Sequence, residues 1–101
     1  GADRIVELLS EGAVDAVTFT SSSTARNFAD IIRRRTDRFA ELMAPVRIAC
    51  IGPLTAKTAE ECGMRADIVP EQATIDALAQ ALAERLGPRP SKYDAPGRRY
   101  H

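Results

Sequence analysis

A strand, a hydroxyl-rich turn and an amphipathic helix follow one another across residues 16–32, and the same order returns across residues 48–62. In the first unit the apolar run Ala16, Val17, Thr18, Phe19, Thr20 leads into Ser21, Ser22, Ser23 and Thr24; in the second, Ile48, Ala49, Cys50 and Ile51 lead into Gly52, Pro53, Leu54 and Thr55. Such a repeat restricts the chain to a parallel sheet with right-handed helical crossovers, because strands separated by a helix return in the same direction. Each turn then opens a helix whose first backbone N–H groups lack intrahelical acceptors and stand at the positive end of the helix dipole. Parallel strands stack these turns along one sheet edge, where open α/β folds receive anions. Carboxylates and phosphates are the ligands that such an edge suits.

The length of 101 residues is that of one core, so residues 1–87 are read as one α/β unit and residues 88–101 as a flexible tail. Apolar residues make up 45% and charged residues 28% of the chain, the balance of a water-soluble globular protein. The 14 basic and 14 acidic side chains cancel, which argues against nucleic acid as a partner. No stretch approaches a membrane span, and the chain starts on an amphipathic helix without a secretory leader or an initiator methionine, the pattern of a fragment or processed product. Cys50 and Cys62 form neither a CxxC motif nor a metal-ligand spacing. Buried free thiols in a reducing cytoplasm are expected.

Along the chain, Ile5, Leu8 and Leu9 recur at helical spacing, and Gly12 is placed to end that helix in a left-handed conformation. Residues 16–20 read as a strand covered on both faces. Ala25, Phe28, Ala29 and Ile32 predict a helix lying on the sheet. Phe39, Leu42 and Met43 share one face of a short helix that Pro45 ends. Residues 46–51 form the second strand, Pro53 opens the next helix and Gly63 closes it. Residues 66–69 read as a third strand, and Thr74 caps a last helix with the buried stripe Ile75, Leu78, Ala79, Leu82 and Leu86. Three strands are few for a parallel sheet with helices on both faces, so further strands are expected from sequence outside this chain or from a second copy.

Each candidate site residue also has a plain structural reading. Serine and threonine are common helix caps, so Ser21, Ser22, Ser23 and Thr24 alone do not establish a ligand site; the glycine and hydroxyl of Gly52 and Thr55 in a second, parallel turn strengthen the case. Lys57 reads as a solvated surface residue. Arg33, Arg34 and Arg35 end a helix, where cations favour the dipole. His101 is the only histidine and lies in the tail with Tyr93 and Tyr100. No Walker loop, dinucleotide fingerprint, metal cluster or catalytic triad is present.

Asp15 through Thr24 with Arg26, Asn27 and Phe28, and the segment from Ile48 through Ala56, resemble uroporphyrinogen-III synthase. Residues 66–71 with Thr74, Ile75 and Leu78 resemble that family's closing strand and helix, so the similarity runs from Asp3 to about Leu86. The resemblance implies one part of a two-lobed enzyme with its active site between the lobes. This part would be a flavodoxin-like, three-layer half whose remaining strands come from the amino-terminal sequence.

The implied reaction closes the linear tetrapyrrole hydroxymethylbilane with loss of water and inversion of the last pyrrole ring, without metal or organic cofactor. The substrate is a polycarboxylate, and the other lobe of the enzyme is the implied partner. By position, Ser22 and Thr55 match residues at the substrate cleft, with Ser21, Ser23 and Gly52 offering backbone contacts. Thr55 is the one candidate for a direct role, and a threonine hydroxyl is too weak an acid to do more than position substrate unaided. The family's tyrosine lies upstream of this chain, which implies that the fragment alone is inactive. Two alternatives remain at this stage: a non-catalytic ligand-sensing module of the same fold, and an interaction domain whose serine turn only caps a helix.

Overall fold

The computed structural model describes residues 2–87, so the expectations for the 88–101 tail lie outside the described residues. Helix α1 (Ala2–Ser10) ends where Gly12 takes φ 70°, and the amides of Gly12 and Ala13 bond back to the carbonyls of Leu9 and Leu8. Strand β1 (Ala16–Phe19) follows, then α2 (Ser22–Arg35), the short α3 (Phe39–Met43) and strand β2 (Arg47–Cys50). The two strands are parallel, with Ala16 opposite Arg47 and Phe19 opposite Cys50. Helix α4 (Pro53–Glu61) has proline at its first position, where a missing N–H costs nothing, and Gly63 with φ 89° releases the chain beyond it. Helix α5 (Ile75–Leu86) starts at Thr74, whose hydroxyl accepts from the Ala77 amide.

Strand alternation sorts the side chains into two sets. Val17, Phe19, Ile48 and Cys50 point into the main core, where they meet Ala25, Ala29 and Ile32 of α2, all three α3 residues foreseen from the sequence, and Ala59 of α4. The Phe19 and Phe28 rings pack edge to face at 5.4 Å, a favoured aromatic geometry. On the other side Ala49 packs with Ile68 and Leu78, so α5 covers β2 there. Cys50 and Cys62 are buried free thiols, as the sequence indicates.

Three expectations need correction. Residues 66–69 do not extend a third strand: an isolated parallel bridge joins Ile68 to Ala49. The amides of Asp67 and Ile68 both converge on the Ile48 carbonyl, the Asp67 carboxylate takes the Ile48 amide at 2.9 Å and the Ile68 carbonyl takes the Cys50 amide at 2.9 Å, so this segment flanks β2 only from Ile48 to Cys50, through a single bridge. Strand β1 is not covered on both faces, because Thr18 is exposed. The α5 stripe is open as well: only Leu78 is fully buried, while Ile75 is 63% exposed, Ala79 and Leu86 lie at the surface and Leu82 is half-buried. Both departures have one cause, since two short strands give α5 too little sheet to lie on. On α1, Leu9 is buried and Ile5 exposed for the same lack of neighbours.

The arginine run is structural. The Arg33 guanidinium lies 4.1 Å from the centre of the Phe39 ring, and Arg35 pairs with Asp3 at 3.1 Å, tying the end of α2 to the start of α1.

Candidate functional site

The serine turn and the glycine turn leave the carboxyl ends of β1 and β2, which are direct neighbours in the sheet. The Ile51 amide bonds to the Phe19 carbonyl, so pairing continues to the mouths of both turns. Beyond it the Ser22 hydroxyl donates to the Leu54 carbonyl at 3.5 Å, bridging one turn to the other.

The two helix starts are capped in different ways. Ser21 is the N-cap of α2; its hydroxyl oxygen accepts from the Thr24 amide at 3.2 Å and lies 2.6 Å from the Thr24 hydroxyl. This cap satisfies one amide and leaves those of Ser22 and Ser23 without intrahelical acceptors. Gly52 is the N-cap of α4 and has no side chain to offer, while Pro53 has no N–H; the open donors there are the amides of Leu54 and Thr55. Neither α2 nor α4 carries an acidic residue in its first turn, whereas α5 carries Asp76. A first-turn carboxylate offsets the dipole from within the chain, so the two adjacent helix starts lacking one are those with positive potential left for an external anion.

The candidate side chains divide by exposure. Ser23 and Thr24 are exposed, and Ser21 and Ser22 half-buried. Thr55 is only 5% exposed and faces inward with Thr58 and Ala59. Leu54 instead projects from the turn, 74% exposed. Gly52 is buried in an extended conformation, and a methyl group built on it would meet only the Ala73 Cβ at 3.5 Å, an ordinary contact. Packing alone therefore does not demand glycine at 52; the missing side chain matters because a serine there would occupy an amide of α4 as Ser21 does in α2. Lys57 is exposed, as the sequence suggests.

Sequence reasoning overlooked the neighbourhood of Ala73. The segment between Ile68 and α5 follows a parallel bridge and opens a helix, a third instance of the same order, and it brings Ala73 against Gly52. The Thr74 cap was the available signal. The Cys50 thiol offers no nucleophile: burial, then the nearby carboxylates of Glu60 and Asp67, push its pKa up to about 11. Among the described residues, no group of histidine, cysteine and acidic side chains is arranged to hold a metal, and no helix is long and apolar enough to cross a membrane.

The fold and edge define an open α/β unit with paired helix starts at one edge of its sheet. The sequence profile described as uroporphyrinogen-III synthase HemD matches residues 1–80, and the chain belongs to that family. It is 38% identical over 86 residues to a putative uroporphyrinogen-III synthase of Methanothermobacter thermautotrophicus, covering 85% of this chain and 34% of the relative. It is 40% identical over 83 residues to the uroporphyrinogen-III synthase of Chlorobaculum parvum, covering 82% and 32%. The chain thus spans about a third of the length of these relatives. The structure of Thermus thermophilus uroporphyrinogen III synthase superposes with a TM-score of 0.69 at 22% identity, over 83% of this chain and 34% of that one. At that identity the superposition supports the fold alone.

Proposed function

We propose that this chain forms one wall of the substrate cleft of a uroporphyrinogen-III synthase, the remainder of which lies in sequence outside it. That enzyme would close hydroxymethylbilane to uroporphyrinogen III with loss of water and inversion of ring D, as a cofactor-free lyase of the cytoplasm. The observation that carries the reading is the pair of helix starts at one sheet edge, bridged by Ser22 and Leu54 and free of first-turn acids. A polycarboxylate substrate matches such an edge, because each ring carboxylate has open amides and a helix dipole to meet.

In this reading the amides of Ser22 and Ser23 hold one carboxylate and those of Leu54 and Thr55 another, while Ser21 and Thr24 fix the first turn and Gly52 keeps the second uncapped. Thr55 contributes its amide and stiffens the turn from beneath, its side chain being buried. The chain supplies no strong acid or base within either turn. Its contribution is to hold a flexible linear chain with its ends in reacting position, which converts binding energy into rate. The free edge of β1 and the exposed Thr18 suit additional strands from the rest of the enzyme, completing a three-layer, flavodoxin-like lobe. Alone, the chain would be inactive, since the opposite wall is elsewhere.

The test is product analysis in the longer protein that carries this chain. Ser22→Ala, which breaks the bridge between the turns, and Gly52→Ser, which would occupy an open amide of α4, are expected to slow formation of type III uroporphyrinogen and raise the share of type I. Unchanged rate and unchanged isomer ratio in both variants would refute the assignment of these turns to the cleft.

A further inference from the structure

We propose that a second anion site lies at the opposite end of β2, in a concavity of about 350 Å³ between the end of α3 and residues 63–67, and that it takes a small molecule with an apolar body and one anionic head. Met43, Val46, Ile48 and Met64 line it from beneath, and all four are buried. Methionine is suited to such a floor because its unbranched thioether adapts to the shape it meets. The volume is at the small end of ligand pockets.

The charge on the rim selects the sign of the guest. Arg47 and Arg65 both line the concavity and both are exposed. The ion pairs of the described residues engage Arg4, Arg26, Arg35 and Arg38, and neither Arg47 nor Arg65 takes part in them. The one carboxylate in the lining, Asp67, is occupied with the Ile48 amide. Several carbonyls of the neighbouring helix ends are already taken: Ala44 donates to the Ala40 carbonyl, Val46 to Met43 and Gly63 to Glu60. Two guanidiniums above buried apolar side chains recognise a planar or tetrahedral anionic head carried on a hydrophobic body. This site stands apart from the paired turns, which lie at the other end of the same strand, so its ligand can act on the protein without entering the proposed cleft.

The chain has only two methionines, and both are in the floor, so ¹³C-methyl-methionine labelling reports on this concavity and nowhere else. Titration of the 101-residue chain with phenyl phosphate, and separately with benzoate, should move both methyl signals along one saturable curve. The response to the two probes tells a phosphate head from a carboxylate. The double variant Arg47→Gln, Arg65→Gln, checked by its amide spectrum for retained fold, should bind about tenfold more weakly or worse, and benzyl alcohol should bind less well than either anion. Ser22→Ala should leave the titration unchanged, which separates this site from the proposed cleft. Methyl signals that stay fixed, or equal binding by the double variant or by benzyl alcohol, would overturn the proposal.

Discussion

Replacing Asp67 should separate what the third segment contributes to stability from what the two paired strands contribute. The Asp67 carboxylate accepts the Ile48 amide at 2.9 Å in a partly buried setting, where a neighbouring strand would ordinarily provide a carbonyl. Asp67→Ala removes that acceptor and leaves a β2 amide without a partner. Hydrogen bonds to charged groups contribute about 1.5–3 kcal/mol, and leaving a buried donor unsatisfied costs about 1–3 kcal/mol, two views of the same loss rather than terms to add. We therefore expect about 2 kcal/mol of destabilisation for Asp67→Ala. Asp67→Asn keeps an acceptor oxygen and loses only the charge, so about half that cost is expected. Urea unfolding followed by circular dichroism gives the comparison: the midpoints should fall in the order parent, Asn, Ala, with little change in slope, since a changed slope would signal altered compactness. The Asn variant should also lower the Cys50 pKa, because Asp67 is one of the carboxylates that raise it. An Ala variant as stable as the parent, or an Asn variant no better than Ala, would refute the view that this bond fastens the segment.

Other expectations follow from single observations. Ser21→Ala deletes the α2 cap and should cost about 1 kcal/mol by the same unfolding assay, whereas Ser21→Asn, also a strong cap, should nearly restore stability. Phe19→Ala empties the centre of the main core and breaks the ring pair with Phe28, a loss of about 3–5 kcal/mol that should leave the chain largely unfolded in a thermal melt. Gly63→Ala forces a side chain into φ 89° and towards the Arg33 guanidinium, at a cost of about 1–2 kcal/mol in the same melt. The raised Cys50 pKa means that the folded state holds the thiol proton more tightly than the unfolded chain; its stabilising effect is complete below about pH 9 and is lost as pH rises towards about 11. Stability measured across that window should fall in the parent and fall less in Cys50→Ala, and Cys50 should resist alkylation at neutral pH until the chain unfolds.

Much of this fold was readable because its signals are local. Glycine at 12 and 63, proline at 53 and threonine at 74 each do what backbone geometry permits them to do, and the helical spacing of Ala25, Ala29 and Ile32 marks the face that packs on the strands. The misreadings concern residues that the described elements leave without a covering neighbour. Thr18 lies in an apolar run and is nonetheless exposed, and the α5 stripe has the right period but little sheet beneath it. Periodicity reports which residues share a face, not whether anything covers that face. The short contact of residues 66–69 was hidden for another reason: β-branched residues mark strand preference, while a side-chain acceptor such as Asp67 can replace a ladder bond without any pattern to show it. At the candidate site, the adjacency of the turns could be inferred from two parallel strands. The inward turn of Thr55 and the approach of Ala73 to Gly52 are tertiary facts with no sequence period.

Amide shifts of Ser22, Ser23, Leu54 and Thr55 on titration with uroporphyrin I, a polycarboxylate of the relevant class, put the paired helix starts to direct trial. All four resonances moving together with one affinity, weakened by salt and by Ser22→Asp, is the outcome the geometry requires. Four unmoved resonances, or shifts confined to the open face of α5, would mean that these turns are caps and nothing more.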